Sequence, residues 1–530
     1  MLRRLERVPW WLPAVPGVAF LLALVVQGRD LVKTLALNAD NAAPFVIAEL
    51  LDEAGPGREV LLGNYAWYEA LWSLQLTGGL PGHRAIWGLL PFAVMGLAVA
   101  AVAWATWRVA GRWAALCSAV LLGAMSPLLI AQLGELNAHG LVLAHAALAA
   151  AAVVLLVERG AGWGPGRLAL WAIVVGALTG PGVASDVLVV LAALVPMVVV
   201  ALLAEREGLP RRVGLALVAA AALALAGGLA LHAVAEDSGV RSTGFTIAFA
   251  ESDELWRNLR LLGTIVAAWG NGDPFGEELD LWSALAAVCA VAMAVLVWRA
   301  VRGTRRGGVA ALTARPLLWR AYAAFWAVGG TLVAAAFVLT SVPVDEFSAR
   351  YVLAGWAALC VLVVLAARDD RDRLLTGVLV SLVAAVSVVE LVRGESTANT
   401  SNFVSGGDTG ALARFVREQG LDHGYGPYWS ALTTTWQTRT AAKVYPVYHC
   451  AGNADLCPYH LHRISSWYVP KPGVRTFIVV DTKGPAPGVA EPSQRIFGKP
   501  AAVTGFGQLN VYVYDYDVAE RLRGAGSVRP

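Results

Sequence analysis

GLVLAHAALAAAAVVLLV, Gly140 to Val157, decides the fold class: eighteen consecutive residues in which His145 is the one polar side chain, closed by Glu158 and Arg159. A hydrocarbon core of about 30 Å needs about 20 apolar residues in a helix, so this stretch reads as a membrane span. Reading outward from it, eleven such segments run at 10–27, 86–107, 113–131, 140–157, 168–183, 186–204, 213–234, 281–300, 321–340, 351–367 and 374–392. The fifth and sixth are separated only by Gly180-Pro181-Gly182 and Ser185-Asp186. A mean hydropathy of +0.60, with 57% hydrophobic and 15% charged residues over 530, fits an integral membrane protein throughout.

Arginine orients the spans, because short cytoplasmic loops retain Lys and Arg. Arg3, Arg4 and Arg7 place the N-terminus inside, and Arg108 with Arg112, Arg159 with Arg167, Arg206 with Arg211 and Arg212, Arg299 through Arg320, and Arg368 with Arg371 and Arg373 all fall on the same expected side. An odd number of spans then leaves the chain beyond residue 392 outside. The first apolar segment contains Pro13 and Pro16 and ends in Val25-Val26-Gln27-Gly28-Arg29, without a small-x-small cleavage pattern, so it reads as a retained helix. The formal charge of +3 is the difference between a basic inner face and acidic outer loops, and no basic run with interleaved aromatics points to nucleic acid.

Two outer segments exceed a connector. In residues 28–85, Ala42 to Leu51 has helical apolar spacing, and Tyr65, Trp67, Tyr68 and Trp72 form an aromatic group suited to the headgroup zone. In 235–280, Leu255 to Leu262 is patterned to lie at an interface, and Asn271-Gly272-Asp273-Pro274 reads as a turn. From residue 393 the composition changes, and 393–530 is expected to be a small extracytoplasmic α/β domain beside a 1–392 transmembrane domain. Thr409 to Gln419 reads as a helix closed by Gly420, and Ala442 to Val447, Arg475 to Asp481 and Leu509 to Tyr516 read as strands. Cys450 and Cys457 fall here, and an oxidising compartment makes them a candidate disulfide. His449, His460 and His462 lie nearby, but their irregular spacing fits zinc less well.

Asp40, in Leu37-Asn38-Ala39-Asp40-Asn41, is a carboxylate just outside the first span, placed either to do chemistry or to cap the helix that begins near Asn41. Together with Glu135-Leu136-Asn137-Ala138-His139 between the third and fourth spans, Ser348-Ala349-Arg350-Tyr351 before a late span, and Gly424-Tyr425-Gly426-Pro427-Tyr428-Trp429-Ser430-Ala431 in the outer domain, it gives the chain a resemblance to the GT-C class of membrane glycosyltransferases. That class includes protein O-mannosyltransferases and the aminoarabinose transferase acting on lipid A. The likeness covers most of the chain and lies in the order of these features. Many members carry an acidic pair where this chain has Asp40-Asn41.

The resemblance implies an inverting transfer of a sugar from a polyprenyl-phosphate donor to an acceptor hydroxyl, on a protein, a lipid or a polysaccharide, at the outer face of the plasma membrane. Asp40 is the expected general base. Arg350 and Tyr351, with His83, Arg84, Glu135, Asn137 and His139, are expected around the donor phosphate and sugar, where guanidinium donors match phosphate oxygens. Tyr428 and Trp429 are expected to bind the acceptor. The leaving phosphate needs no protonation at neutral pH, so no cofactor is required; a divalent metal is compatible with the chemistry but unsupported. From the residues alone, Glu135 and His139 also fit an interface, Arg350 a snorkelling helix end, and the aromatic residues the core of a small domain. A transporter or flippase would place ionisable residues near mid-membrane and show internal repeats, which this sequence lacks. A non-catalytic assembly protein with the same architecture is the remaining alternative.

Overall fold

The computed structural model describes residues 10–35, 39–54, 59–63, 67–126, 129–130, 132, 139–242, 247–270, 281–305, 316–367, 369–393, 408–450, 455–482 and 492–523. The chain divides into two compact units. Met1–Arg29, Leu89–His232 and Thr246–Ser396 form the first, and Asp30–Gly88, Ala233–Phe245 and Thr397–Pro530 the second.

The described part of the first unit is helical apart from a bridge between Phe249 and Thr340. Ala, Leu and Val fill its helices, and Pro165 and Pro316 open two of them at the first turn, where a missing N–H costs nothing. Leu170, Leu178 and Val288 stand exposed along their helices, a distribution that hydrocarbon accommodates and water does not. Two of the polar groups inside find partners there: Thr179 donates to the Val175 carbonyl, and Tyr322 lies 3.0 Å from the Thr106 hydroxyl. This is a multi-pass membrane protein.

Among the described residues, seven helices are long and apolar enough to cross a membrane: His83–Ala110, Gly140–Gly162, Pro165–Ser185, Arg211–Asp237, Pro316–Leu339, Ser348–Leu365 and Asp370–Val392. The eleven expected from the sequence are therefore not all met, and part of the shortfall has local causes. The helix after Arg112 stops at Gly123, just ahead of Ser126-Pro127. The 186–204 segment is not one regular α-helix: Asp186 takes an extended backbone, helix starts at Leu188, a π-turn covers Val190–Leu194, and α-helix follows at Val195–Arg206. Trp11–Leu35 and Leu281–Arg305 are also helices, and their described side chains give the shorter apolar stretches Trp11–Val26 and Ala284–Trp298. Between spans, Ser252–Trp269 is an amphipathic helix with exposed Trp256 and Leu259, started by a capping box between Glu251 and Glu254. The turn expected at Asn271–Pro274 lies outside the described residues.

The second unit is held by two sheets. Strand β1 (Val60–Leu62) pairs in parallel with β2 (Val240–Ser242) and antiparallel with β6 (Arg463–Ile464). The other sheet has the order β5-β4-β3-β7-β9-β8, with β3 (His423–Pro427), β4 (Val444–His449), β5 (Leu456–Pro458), β7 (Thr476–Asp481), β8 (Ala502–Phe506) and β9 (Leu509–Tyr514). Strands β4, β3 and β7 are mutually parallel, and the rest are antiparallel. The helix Thr409–Glu418, capped by Asp408, packs its apolar face on this sheet, and Gly420 leaves it at φ 60°. β3 escapes a propensity reading because it contains two glycines and a proline. Gly424 is needed there: a Cβ at that position would collide with the Phe477 ring.

One apolar core runs through Ala43, Val46, Ile47, Val60, Tyr68, Leu71, Tyr425, Tyr428, Ile464, Tyr468 and Tyr512, so residues 30–88 fold with residues near the C-terminus. Tyr68 corrects an expectation: it is buried, not at the headgroups, and its hydroxyl donates to the Val240 carbonyl at 3.2 Å. Trp72 packs beside it, whereas Tyr65 and the side chain of Trp67 lie outside the described residues. Cys450 and Cys457 form a disulfide across the β4–β5 turn, with Cα atoms 5.4 Å apart. Below it, His423 sits between Asp422 (2.8 Å) and Asp517 (3.4 Å) and meets the Tyr425 hydroxyl at 2.7 Å. Burial alone would raise the Asp517 carboxyl, but bonds from His423 and from the backbone of Ala519 and Lys471 hold it below its ordinary value.

Candidate active site

Asp40 lies in the first turn of the helix Ala39–Leu50. Its Oδ1 accepts a hydrogen bond of 2.6 Å from the Tyr428 hydroxyl, across 388 residues of sequence. Tyr428 opens the helix Tyr428–Gln437 directly after β3, at the carboxyl end of the parallel strands, which is where open α/β sheets place their sites. The two helices run side by side in the same direction. Asp40 meets Tyr428 at one end, and Phe45 stacks on Trp436 at 4.8 Å further along. The starts of two helices therefore flank the carboxylate.

Around this pair the neighbours are aromatic. The Tyr428 ring stacks on Tyr459 at 4.6 Å and 14°, faces His462 at 5.7 Å and meets Trp429 edge-on at 5.2 Å. Burial, and then the charge of Asp40, push the Tyr459 hydroxyl above its usual range, so it stays a neutral donor. Burial, helped by His460, brings His462 down to about 3. The Gly63 N–H donates to His462 Nδ1 at 3.3 Å, which agrees with a neutral ring. Any side chain at Gly63 would strike that ring.

His83 and Arg84 are tied elsewhere in the same unit. Arg84 binds Glu49 with two donors, Nε to Oε1 at 2.5 Å and Nη2 to Oε2, and gives Nη1 to the Trp436 carbonyl at 3.2 Å. Its guanidinium lies 4.4 Å over the Trp436 ring, and His83 Nε2 is 3.5 Å from Glu49. These bonds clamp the Asp40 helix to the Tyr428 helix and leave Arg84 committed to that task.

The first unit brings together three expected residues and one that sequence reading set aside. His139 Nδ1 is hydrogen-bonded to Asp186 Oδ2, and Asp186 Oδ1 accepts from the Leu188 N–H at 2.9 Å. The His139 ring lies 4.7 Å from the Tyr351 ring, and Arg350 Nη2 donates to the Tyr351 hydroxyl at 3.4 Å. Helix ends place these groups. His139, in the left-handed region at φ 68°, precedes Gly140–Arg159; Asp186 follows Pro165–Ser185; Arg350 and Tyr351 lie in the 3₁₀ turn Glu346–Val352. At the opposite ends of these helices, Arg108 pairs with Glu158, and Arg212 donates to the Ala161 carbonyl. Glu135 and Asn137 lie outside the described residues. Asp186 carried a signal that sequence reading undervalued: a carboxylate interrupting an apolar run. Tyr459 carried no signal, since only the fold sets it on Tyr428.

Chemically, the Asp40 carboxylate can accept a proton, and Arg350 and His139 can meet an anion. Among the described residues no three His, Cys, Asp or Glu side chains gather to hold a metal ion.

No family model matches the sequence, and no curated protein does. Among solved structures the chain is similar to the oligosaccharyltransferase of Archaeoglobus fulgidus in complex with Zn and sulfate, with a TM-score of 0.39 and 13% identity over 82% of this chain and 62% of that one. It is also similar to the same enzyme tethered through a disulfide to an acceptor peptide containing the NVT sequon, with a TM-score of 0.36 and 12% identity over 82% and 64%. The chain thus spans less than two thirds of that protein's length.

Proposed function

We propose that this protein is an inverting, GT-C-like glycosyltransferase that moves a sugar from a polyprenyl-phosphate donor to an acceptor hydroxyl at the outer membrane face, with Asp40 as general base. The observation that carries the reading is the Asp40 carboxylate itself, in the first turn of one helix and hydrogen-bonded at 2.6 Å by Tyr428 at the start of another. As the acceptor oxygen attacks the anomeric carbon, its proton passes to Asp40, and the bond to the lipid phosphate breaks on the opposite side of the sugar. Tyr428 is buried and bonded to Asp40, so its part is to orient the base rather than to stack on the acceptor.

Arg350, next to Tyr351 and the His139–Asp186 pair, supplies positive charge for the departing phosphate in this reading. Arg84 is left out of that role by its bonds to Glu49 and Trp436. The regular fall of arginine supports a cytoplasmic N-terminus. The Cys450–Cys457 disulfide supports an extracytoplasmic C-terminal segment, since such bonds persist in oxidising compartments.

The test uses purified protein in lipid nanodiscs, a set of polyprenyl-phosphate sugars and cell-envelope extract as acceptor, with product detected by mass. Asp40→Asn is expected to lower transfer by about 10²–10⁴-fold, the usual contribution of a positioned base. An unchanged rate in that variant ends the assignment.

A further inference from the structure

We infer that Tyr448, Tyr459 and His460 form a saccharide-binding platform leading to Asp40, so that the acceptor is a glycan chain; the inference rests on the transfer reaction proposed above. The three rings adjoin one another, with Tyr448 edge-on to the other two. Tyr459 and His460 lie 4.8 Å apart, Tyr448 and His460 5.7 Å, and Tyr448 and Tyr459 6.1 Å at 86°. Tyr459 continues it inward by stacking on Tyr428, whose hydroxyl is bonded to Asp40. The row thus runs from solvent, where His460 is exposed and Tyr448 is 38% exposed, to the carboxylate.

Rings that only filled a core would not surface in this way, and the backbone beneath them is unusually fixed. Tyr448 pairs with Cys457 in the β4–β5 ladder, the Cys450–Cys457 disulfide closes the turn, and the Tyr459 N–H donates to the Pro446 carbonyl at 3.0 Å. These bonds hold the strands that carry the rings, so little backbone entropy remains to be lost there when a ligand lands, which is how aromatic surfaces gain affinity from few contacts. A sugar ring offers C–H faces that pack on the electron-rich faces of aromatic rings, while its hydroxyls find the Tyr hydroxyls and the imidazole.

The chemistry argues against the other occupants. Burial, then the nearby Arg463 charge, lower the His460 pKa, so the His460 ring itself favours its neutral form. Two phenols and an imidazole also make a poor seat for an acyl chain, because each ring presents a polar atom that lipid would strand.

The experiment measures binding of linear hexasaccharides of glucose, mannose, galactose and arabinose, and of Ser/Thr-containing peptides, to the full chain in nanodiscs by calorimetry. At least one hexasaccharide is expected to bind, with affinity falling about tenfold in Tyr448→Ala and in His460→Ala and retained in Tyr448→Phe. No saccharide binding, binding indifferent to Tyr448→Ala and His460→Ala, or ring-dependent binding of peptides alone overturns the inference. Asp40→Asn separates the two proposals, since it is expected to abolish transfer and keep binding. Ring-dependent binding without any transfer by the wild type refutes the enzyme and leaves the platform.

Discussion

Replacing Tyr428 by Phe removes one oxygen and little else. The ring keeps its stack on Tyr459 at 4.6 Å and its place in the core, where it is 5% exposed. What disappears is a 2.6 Å O–H bond to the Asp40 carboxylate. Hydrogen bonds to charged groups contribute about 1.5–3 kcal/mol, and their short O–H···O⁻ geometry places this one among the stronger class. The second unit should lose stability by about that amount.

In turnover two effects oppose each other. A carboxylate lacking this bond aligns less well with the acceptor oxygen, which at about 1.4 kcal/mol per tenfold costs roughly 10–150-fold in rate. The same carboxylate becomes more basic, which returns part of the loss. The net expectation is a fall of about tenfold in kcat, with donor KM unchanged because the groups assigned to the donor phosphate are Arg350 and His139. Steady-state transfer by Tyr428→Phe, Asp40→Asn and the double variant in nanodiscs measures it. The two losses should not multiply, since Tyr428 acts through Asp40. Wild-type turnover by Tyr428→Phe, or fully multiplicative losses, would refute the coupling.

Removing Glu49 strands the Arg84 guanidinium, and because that side chain is 24% exposed the cost should fall below the roughly 3–5 kcal/mol of a fully buried pair; Glu49→Ala should unfold several degrees earlier by tryptophan fluorescence. The disulfide closes a short loop, the two cysteines standing seven apart, so Cys450→Ser should cost about 2.5 kcal/mol by the chain-entropy relation, read from the thermal midpoint with and without reductant. His462 is brought to about 3 in the folded chain against an ordinary value of 6.5, so the unfolded chain takes up a proton that the folded chain refuses. The stability present above about pH 6.5 should therefore drain away as pH falls toward 3, and chemical denaturation of His462→Gln should show a flatter profile over that window.

The apolar helices were legible because their signal is local: a run such as Gly140–Val157 needs no partner to declare itself. The interruptions were less so. Asp186 and Pro196 shorten a segment whose overall hydrophobicity is unchanged, and the departure from α-helix lies in hydrogen-bond geometry at Val190–Leu194. In the second unit, β7 and β9 announced themselves through Val, Ile and Tyr, but β1, β2 and β6 are two or three residues long and take their identity from each other. Asp40 and Tyr428 were singled out separately, one for its place after a span and the other for its motif. That one binds the other follows from β3 ending at Pro427, which no local pattern encodes. The same limit applied to Arg84, whose sequence position suits a phosphate while the fold had already given it Glu49.

The three-stranded sheet has a consequence for synthesis. Strand β1 cannot complete its ladder until β6 exists, and the Glu59 N–H finds its partner, the Ser465 hydroxyl, 406 residues later. At about 5–20 residues per second, β2 follows β1 by roughly 10–40 s and β6 by roughly 20–80 s, so the ladder closes in two stages. During that interval Tyr68, Ile47 and the helix bearing Asp40 lack most of the core that later buries them. A chain stopped after its last span would therefore keep its membrane helices and lose its carboxylate's setting.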